Sequence, residues 1–239
     1  MIKIKTIIIA TIKSWNIKNA EKLAQTIKDK TNTKIITKKK ELTVETIKTL
    51  NPEYIFFPHW SWKIPEAIYA NYPCIVFHMT DLPFGRGGSP LQNLIVRGYK
   101  QTKISAIKVV EAMDAGEVYL KEELDLHGTA DEIFMRASKI VFEKMIPQIL
   151  ENKITPKAQQ GEITTFKRRR PDESTIEGLQ TLEQLYDHIR MLDGEGYPKA
   201  FIETEHFKIE LSRASRKPDG IIADVKIVLK KAHRENEDN

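Results

Sequence analysis

The fold is decided by the stretch Thr6-Ile7-Ile8-Ile9-Ala10-Thr11-Ile12, which is dominated by apolar, β-branched residues. A strand without polar–apolar alternation is typical of a parallel sheet that is covered on both faces. Apolar residues at helical spacing follow at Ala20, Leu23, Ala24 and Ile27. We interpret Asn16 as the cap of this amphipathic helix. The run therefore predicts the first strand–helix unit of an α/β protein.

The same alternation continues through the first two thirds of the chain. Further strands are predicted at residues 34–37, 54–57, 74–77, 104–110 and 118–126. Further helices are predicted over residues 44–50, in a short piece after 64–66, over 89–97, and from 129 onward. Thr129 and Glu132 have the spacing of a capping box. This order predicts a Rossmann-like, mostly parallel sheet with helices on both faces.

The pattern changes after residue 151, where the chain becomes polar and irregular. A helix with a leucine-rich stripe follows at 182–192, and then strand-like runs at 200–203, 207–211 and 221–229. We predict an α/β domain over residues 1–155, a linker over 156–180 and a small β-rich C-terminal appendage over 181–239.

Composition places the chain among globular proteins, with 41% hydrophobic and 30% charged residues. Cys74 is the single cysteine, which excludes an intramolecular disulfide and favours a reducing compartment. We see neither a secretory signal nor an apolar run of membrane length, so we expect a cytoplasmic protein without membrane contact. The six histidines are scattered, and no metal site is indicated.

The formal net charge of +5 is spread over several lysine-rich runs, which we interpret mainly as solvated surface. The densest basic cluster is Lys167-Arg168-Arg169-Arg170. A nucleic-acid patch is an alternative interpretation of this cluster, but aromatic residues for base stacking are not interleaved in it.

Two polar residues stand where an open α/β sheet binds ligands. His78 follows the strand at 74–77 and precedes a loop that contains Gly85, Gly87 and Gly88. Asp114 lies in the loop between the last two predicted strands. Taken separately, His78 has a structural alternative as a satisfied core histidine, and Asp114 has one as a turn residue.

Together these residues carry a resemblance to a known family. The block His78-Met79-Thr80-Asp81-Leu82-Pro83, followed by Arg86-Gly87 and Pro90, resembles the signature of the folate-dependent formyltransferases. Similar matches extend it to Met113-Asp114-Ala115-Gly116-Glu117, to the segment 59–65 upstream, and to 167–174 and 197–201 downstream. The resemblance thus covers nearly the whole chain and implies a formyltransferase catalytic domain at residues 1–155.

The resemblance implies transfer of a formyl group from 10-formyltetrahydrofolate to a primary amine. Negative charge then develops on the formyl oxygen, and the amine loses a proton as it bonds. His78 would act as donor or proton carrier, and Asp114 would orient the imidazole and help deprotonate the amine. The family places an asparagine two residues before this histidine, where this chain has Val76. Candidate replacements are Asn93, which we include among the catalytic residues, Asp81 and His59.

The resemblance also implies two binding regions. The folate pocket is expected at Trp62, Ile64, Thr80, Asp81, Leu82, Pro83, Val110, Glu111 and Met113. The acceptor is expected at Arg86, Gly87, Gly88, Arg168 and Arg169. Residues 86–88 lead into a helix N-terminus, whose unpaired N–H groups and partial positive charge could hold a phosphate or carboxylate of either substrate.

The acceptor is expected to be a nucleotide-linked amino sugar of surface-glycan biosynthesis, because residues 77–93 and the Arg-Pro-Asp segment most resemble sugar formyltransferases, including the pseudaminic acid type. One alternative is methionyl-tRNA, the only reading with a nucleic-acid partner, whose phosphates would need a broad basic surface. Another alternative is a non-catalytic homologue that binds folate or a nucleotide. The oligomeric state is not predicted.

Overall fold

The structure, a computed structural model, describes residues 5–230. Its eleven strands are β1 (Lys5–Ala10), β2 (Thr31–Ile36), β3 (Tyr54–Phe57), β4 (Cys74–His78), β5 (Arg86–Gly87), β6 (Gln101–Lys108), β7 (Val118–Asp125), β8 (Thr165–Phe166), β9 (Ala200–Glu203), β10 (Phe207–Lys217) and β11 (Gly220–Leu229). Its α-helices are α1 (Ser14–Ile27), α2 (Val44–Leu50), α3 (Glu66–Tyr69), α4 (Pro90–Val96), α5 (Ala130–Ile140), α6 (Ile146–Asn152) and α7 (Leu182–Leu192). A π-helical turn, Val141–Met145, joins α5 to α6.

The central sheet has six strands in the order β2-β1-β3-β4-β6-β7. The first four strands are parallel, whereas β6 is antiparallel to β4 and β7 is antiparallel to β6. The prediction of a Rossmann-like, mostly parallel sheet is therefore confirmed. This order brings the end of β4 next to β6, so that His78 pairs with Ser105 in the middle of the sheet.

Both faces of the sheet are covered, as the unbroken apolar run in β1 predicts. Ile7 and Ile9 belong to one core cluster, which includes side chains from α1, α4, α5 and α7. Ile8 belongs to a second cluster on the other face, with Ile47 of α2 and Ile68 of α3. Successive side chains of a strand point to opposite faces, and β1 supplies large apolar residues to both.

The sequence interpretation was wrong at the start of α1. Asn16 lies inside the helix and is buried, and the residue before the helix, Lys13, makes no capping bond through its side chain. The strand β1 also ends at Ala10, two residues earlier than expected. Thr11 instead leaves the strand, and its hydroxyl donates to the Pro58 carbonyl at 2.6 Å. This buried bond ties the end of β1 to the end of β3.

The segment 156–180 is irregular, as expected of a linker, but it is bound to the α/β unit. Lys157 forms a β-bridge with Val118, and β8 pairs in parallel with β5. Phe166 of β8 is 5% exposed and belongs to the main core cluster. The apolar Phe166 side chain anchors a stretch whose polar composition gave no sign of burial. The division into domains itself stays a prediction.

The β-rich appendage is an antiparallel sheet of three strands, in the order β11-β10-β9. Helix α7 begins at a capping box of Thr181 and Gln184, as its sequence spacing indicates. Its residues Ile189, Met191 and Leu192 are buried in the same core cluster as the α/β unit. Among residues 5–230, no helix combines the length and apolar character needed to span a bilayer.

Arg190 joins α7 to the α/β unit through two backbone carbonyls, and a buried ion pair with Asp187 of the same helix orients its side chain. Arg190 Nε donates to Asp187 Oδ1 at 2.6 Å, and Arg190 Nη1 donates to the carbonyls of Leu126 and Gly128 at 2.6 and 2.9 Å. Both side chains are less than a tenth exposed. An Arg190→Ala change would leave a buried carboxylate and two carbonyls without this donor.

We expect Arg190→Ala to lower the free energy of unfolding by about 3–5 kcal/mol, as measured by urea denaturation. The control is Arg216→Ala, because Arg216 is half-exposed and reaches Glu183 at 3.6 Å. Its loss should cost less than about 1 kcal/mol. Equal costs for the two changes would contradict a fastening role for Arg190.

Candidate active site

The structure brings His78 and Asp114 together at the carboxyl end of β4. His78 Nδ1 lies 3.5 Å from Asp114 Oδ2, and the two side chains are 9% and 16% exposed. His78 Nε2 lies 2.8 Å from the Gly85 carbonyl oxygen. Both ring nitrogens therefore face oxygen acceptors, and a neutral ring can donate to only one of them. The pair is shielded from water, and its electrostatic interaction is therefore stronger than that of a pair at the surface.

The loop that carries Asp114 has a constrained backbone. Asp114 has φ 52°, in the left-handed region that aspartate tolerates better than most residues. A Cβ atom at Gly116 would collide with the Lys108 carbonyl oxygen, so only glycine fits there. The Gly87 N–H donates to Asp114 Oδ2 at 2.9 Å. The position of the Asp114 carboxylate is therefore fixed by its own constrained backbone and by the hydrogen bond from the glycine loop.

The glycine loop packs closely against the segment around β8. Cβ atoms at Gly87 and Gly88 would lie 2.5 Å from Phe166 O and from Arg168 Cβ. The backbone N–H groups of residues 85–88 all donate to protein acceptors: Gly85 to Thr164 Oγ1, Arg86 to Thr164 O, Gly87 to Asp114 Oδ2 and Gly88 to Phe166 O. The N–H groups of residues 85–88 therefore already have protein partners, and anion binding at the N-terminus of the following helix α4 stays a prediction.

Asn93 does not suit the role of an oxyanion donor. It is buried at 7% exposure, and its Nδ2 lies 3.0–3.1 Å from the carbonyls of Gly88, Ser89 and Lys167. Two amide hydrogens shared among three acceptors leave nothing to offer a substrate. Asn93 instead joins the start of α4 to the basic segment.

The other candidate replacements for the family asparagine also have defined surroundings. Burial raises the pKa of Asp81, but the hydrogen bonds and positive charges of Lys121 and Lys103 outweigh this effect and leave the pKa below its usual value. Asp81 is therefore a carboxylate without a proton to donate. His59 has its pKa lowered to about 4 by burial and by the charge of Lys13, and it packs edge-on against Phe134. Val76 shares the β4 face of His78, two residues away, and packs against the second core cluster.

The residues predicted to line the folate pocket fall into two groups. Thr80 and Leu82, which follow the end of β4, are fully buried, and Ser105 Oγ donates to the Thr80 carbonyl at 2.7 Å. Ile64 also lies in the second core cluster. Exposed apolar surface remains on Trp62, Val110 and Met113, which are 37%, 37% and 74% exposed. Pro83 lies beside Gly161, because a Cβ atom added at Gly161 would be at ordinary contact distance from the Pro83 ring. Glu111 lines a groove together with Val110.

The basic segment is fixed beside the candidate active site. The Arg169 N–H donates to Ser89 Oγ at 3.1 Å, and the Lys167 carbonyl accepts from Asn93 at 3.0 Å. The Arg168 side chain is exposed, whereas the Arg169 guanidinium donates to the Glu173 carbonyl. Arg86, predicted to bind the acceptor, donates from Nε and Nη2 to Gln159 Oε1.

Sequence analysis missed Gln159, which lies in the polar segment predicted as a linker. Its Nε2 donates to the carbonyls of Asp114 and Gly116, both at 2.8 Å. A glutamine in an irregular stretch carries no sequence signal of such contacts. Within residues 5–230, no group of three or more histidine, cysteine, aspartate and glutamate side chains is arranged to hold a metal ion.

The chain is an α/β protein with a histidine–aspartate pair at the carboxyl end of β4, and comparisons with known proteins identify its family. A solved structure described as methionyl-tRNA formyltransferase from Clostridium thermocellum is 60% identical, with a TM-score of 0.93, and the match covers 95% of this chain and 100% of that one. The family model described as "Methionyl-tRNA formyltransferase, C-terminal domain" matches residues 171–228. This chain belongs to the formyltransferase family.

Curated relatives agree at lower identity. The methionyl-tRNA formyltransferase of Campylobacter jejuni strain 81-176 is 28% identical over 167 residues, which are 69% of this chain and 54% of the relative. That of Bacillus subtilis strain 168 is 27% identical over 184 residues, or 73% of this chain and 58% of the relative. The chain therefore spans about half the length of the curated relatives it matches.

These findings correct the expected acceptor. A sugar N-formyltransferase from Shewanella has a TM-score of 0.70 but only 14% sequence identity over 89% of this chain and 98% of its own. That similarity shows a shared fold alone. The expectation of a nucleotide-linked amino sugar, and of a pseudaminic acid pathway, is therefore wrong, because the relative at 60% identity carries the name of the tRNA enzyme.

Proposed function

We propose that this protein transfers a formyl group from 10-formyltetrahydrofolate to the amino group of methionyl-tRNA. The observation that carries the proposal is the 60% identity, over nearly the full length of both chains, to a structure described as methionyl-tRNA formyltransferase. With that acceptor, and with Cys74 as a buried free thiol, we also propose that the protein works in the cytoplasm.

The reaction assigns chemistry to the His78–Asp114 pair. The neutral amine attacks the formyl carbon, a new C–N bond forms, and the carbonyl electron pair moves to oxygen. The pair accepts the proton that the amine loses, with Asp114 orienting and charge-stabilising the imidazole. When the intermediate collapses, the bond from the formyl carbon to N10 breaks, and N10 takes up a proton as tetrahydrofolate leaves.

His78 is our candidate for the group that meets the developing negative charge. Val76 has no donor, Asn93 has committed its amide hydrogens, and Asp81 is ionised. When His78 Nε2 carries the proton, it donates to the Gly85 carbonyl oxygen 2.8 Å away. Catalytic hydrogen bonds commonly reach their productive geometry only with substrate bound. A small movement of the Gly85 carbonyl would release this donor to the formyl oxygen.

The basic segment 167–170 supports a polyanionic acceptor. It lies against Gly88 and Ser89, and Gly87 next to them binds Asp114. The side chains of Lys167, Arg168 and Arg170 are exposed. Exposed cations beside the reacting groups can contact phosphates of a tRNA acceptor arm while the charged amino acid reaches the pair.

The proposal is tested by supplying 10-formyltetrahydrofolate with one of two acceptors and following tetrahydrofolate release. We expect turnover with charged methionyl-tRNA, with KM rising steeply as salt is added. Turnover with a nucleotide-linked 4-amino sugar and none with the tRNA would overturn the acceptor while keeping formyl transfer. Folate binding without transfer to either acceptor would favour the non-catalytic alternative.

The folate site can be tested through Trp62, whose exposed ring packs at 4.7 Å between centroids against Trp60. We propose that this exposed surface contacts the folate donor. Trp62→Ala should raise the KM for 10-formyltetrahydrofolate about tenfold, because burial of part of an aromatic ring contributes on the order of 1–2 kcal/mol. The KM for methionyl-tRNA should stay the same.

Phe207 provides a matched control, since it is 42% exposed and lies in β10, away from the predicted folate residues. Phe207→Ala should leave the KM for the folate donor within about twofold, as is usual for a surface change away from a binding site. A crystal soaked with folate gives a direct answer as well. Folate bound away from Trp62 would contradict this assignment.

A further inference from the structure

We propose that Gln159 is a positioning residue: it holds the Asp114 loop and Arg86 together, and so sets the approach of the Asp114 carboxylate to His78. The proposal rests on the proposed function, and it assigns no contact between Gln159 and a substrate. Gln159 acts through Asp114.

The Gln159 amide uses all of its hydrogen-bonding groups. Its Oε1 accepts from Arg86 Nη2 at 2.7 Å and from Arg86 Nε at 3.1 Å. Its Nε2 donates to the carbonyl oxygens of Asp114 and Gly116, both at 2.8 Å. A half-buried amide with four good hydrogen bonds has a single well-defined orientation. Gln159 is therefore a rigid bridge between two loops that are far apart in sequence.

Both loops determine where the Asp114 carboxylate lies. One end of the bridge holds the carbonyl of Asp114 itself, at a backbone with φ 52°. The other end holds Arg86, whose neighbour Gly87 donates its N–H to Asp114 Oδ2. Without the bridge, the left-handed backbone of Asp114 and the Gly87 contact both lose support. A displacement of about 1 Å at a reacting group can cost about a hundredfold in rate.

Two substitutions probe the bridge, and a neighbour serves as the control. Gln159→Ala removes the bridge completely. Gln159→Glu keeps the shape and the acceptor for Arg86, but it places an oxygen against two carbonyl oxygens in place of the N–H donors. Gln160→Ala is the matched control, because Gln160 is an exposed residue of the same type one position away.

Steady-state kinetics with methionyl-tRNA and 10-formyltetrahydrofolate give the first test. We expect Gln159→Ala and Gln159→Glu to lower kcat about tenfold to a hundredfold, with both KM values within about threefold of wild type. Gln160→Ala should have no effect. In an Asp114→Asn background, Gln159→Ala should lower kcat by less than about threefold more, because a residue that acts through Asp114 has nothing left to position.

Multiplicative losses in the double variant, or a normal kcat in Gln159→Ala, would overturn the proposal. Thermal unfolding confirms that each variant is folded, so a loss of activity through unfolding is recognised.

The second test needs no activity and separates this proposal from the proposed function. Hydrogen exchange of the Gly87 amide, followed by NMR, should become faster in Gln159→Ala and Gln159→Glu, since the Asp114 carboxylate that accepts from it drifts away. It should be unchanged in Gln160→Ala. An unchanged Gly87 exchange rate in Gln159→Ala would refute the positioning role. A wild-type protein that transfers no formyl group refutes the proposed function alone.

Discussion

Replacing Asp114 by asparagine is expected to lower turnover at least about a hundredfold while leaving the fold intact. The amide has the same shape as the carboxylate and can still accept from the Gly87 N–H. It carries no negative charge, however, and cannot stabilise a protonated His78 at 3.5 Å or receive the proton that leaves the amine. Initial rates with 10-formyltetrahydrofolate and charged methionyl-tRNA measure the loss.

The chain contains a matched control for this substitution. Asp125 and His127 form a second histidine–aspartate pair at 2.8 Å, with the histidine 70% and the aspartate 41% exposed. Asp125→Asn should leave turnover unchanged, because this pair lies in solvent. A near-normal rate in a folded Asp114→Asn variant would remove Asp114 from the active site.

The second large effect is expected at His78. His78→Ala should lower kcat by at least about a hundredfold, since it removes the donor proposed for the formyl oxygen and the partner that Asp114 orients. Loss of the ring also removes the contact between Nε2 and the Gly85 carbonyl. The KM for tRNA should change little, because we propose that the tRNA phosphates contact the basic segment and not His78.

His127→Ala is the corresponding control at an exposed position, and it should retain full activity. The unfolding midpoint of both variants should be measured in parallel, because His78 is buried at the end of β4. If folded His78→Ala turned over at the wild-type rate, the assignment of the candidate active site would have to be abandoned.

Much of the fold could be predicted because burial leaves a direct trace in sequence. The apolar run in β1 supplies side chains to both core clusters, which is the reason it lacks alternation. The capping box of Thr129 and Glu132 could also be predicted, because it involves side chains only three residues apart in sequence. Asn16 shows the limit: its burial inside α1 depends on tertiary packing, and a local cap rule gave the wrong interpretation.

In the candidate active site, too, local sequence predicted some residues, whereas contacts between distant segments were missed. His78 follows one predicted strand and Asp114 lies in the loop between two others, and the sheet topology brings the two positions together. The N–H groups of the glycine loop donate to oxygen atoms of Thr164, Phe166 and Asp114, and the bridge at Gln159 spans 45 residues to Asp114. Such long-range polar contacts have no period or spacing in the sequence, so Gln159 was overlooked.

The acceptor could not be predicted from the motifs, because those motifs describe formyl transfer and not the amine that receives it. Residues that recognise a large acceptor are spread over a surface and share no fixed spacing, and the exposed Lys167, Arg168 and Arg170 are the ones we propose for this role. The motifs also did not predict which group replaces the family asparagine, since the apolar Val76 stands two positions before His78. The proposed acceptor rests instead on similarity over 95% of the chain.

The most direct measurement is the identity of the product. The protein is incubated with methionyl-tRNA and 10-formyltetrahydrofolate labelled in the formyl carbon, the tRNA is isolated, and its amino acid is released by mild base and separated by chromatography. We predict that the label is recovered in N-formylmethionine, at a rate that falls at least about a hundredfold with Asp114→Asn. Label that stays on the folate with fully charged tRNA, in a protein that binds the donor, would contradict the account.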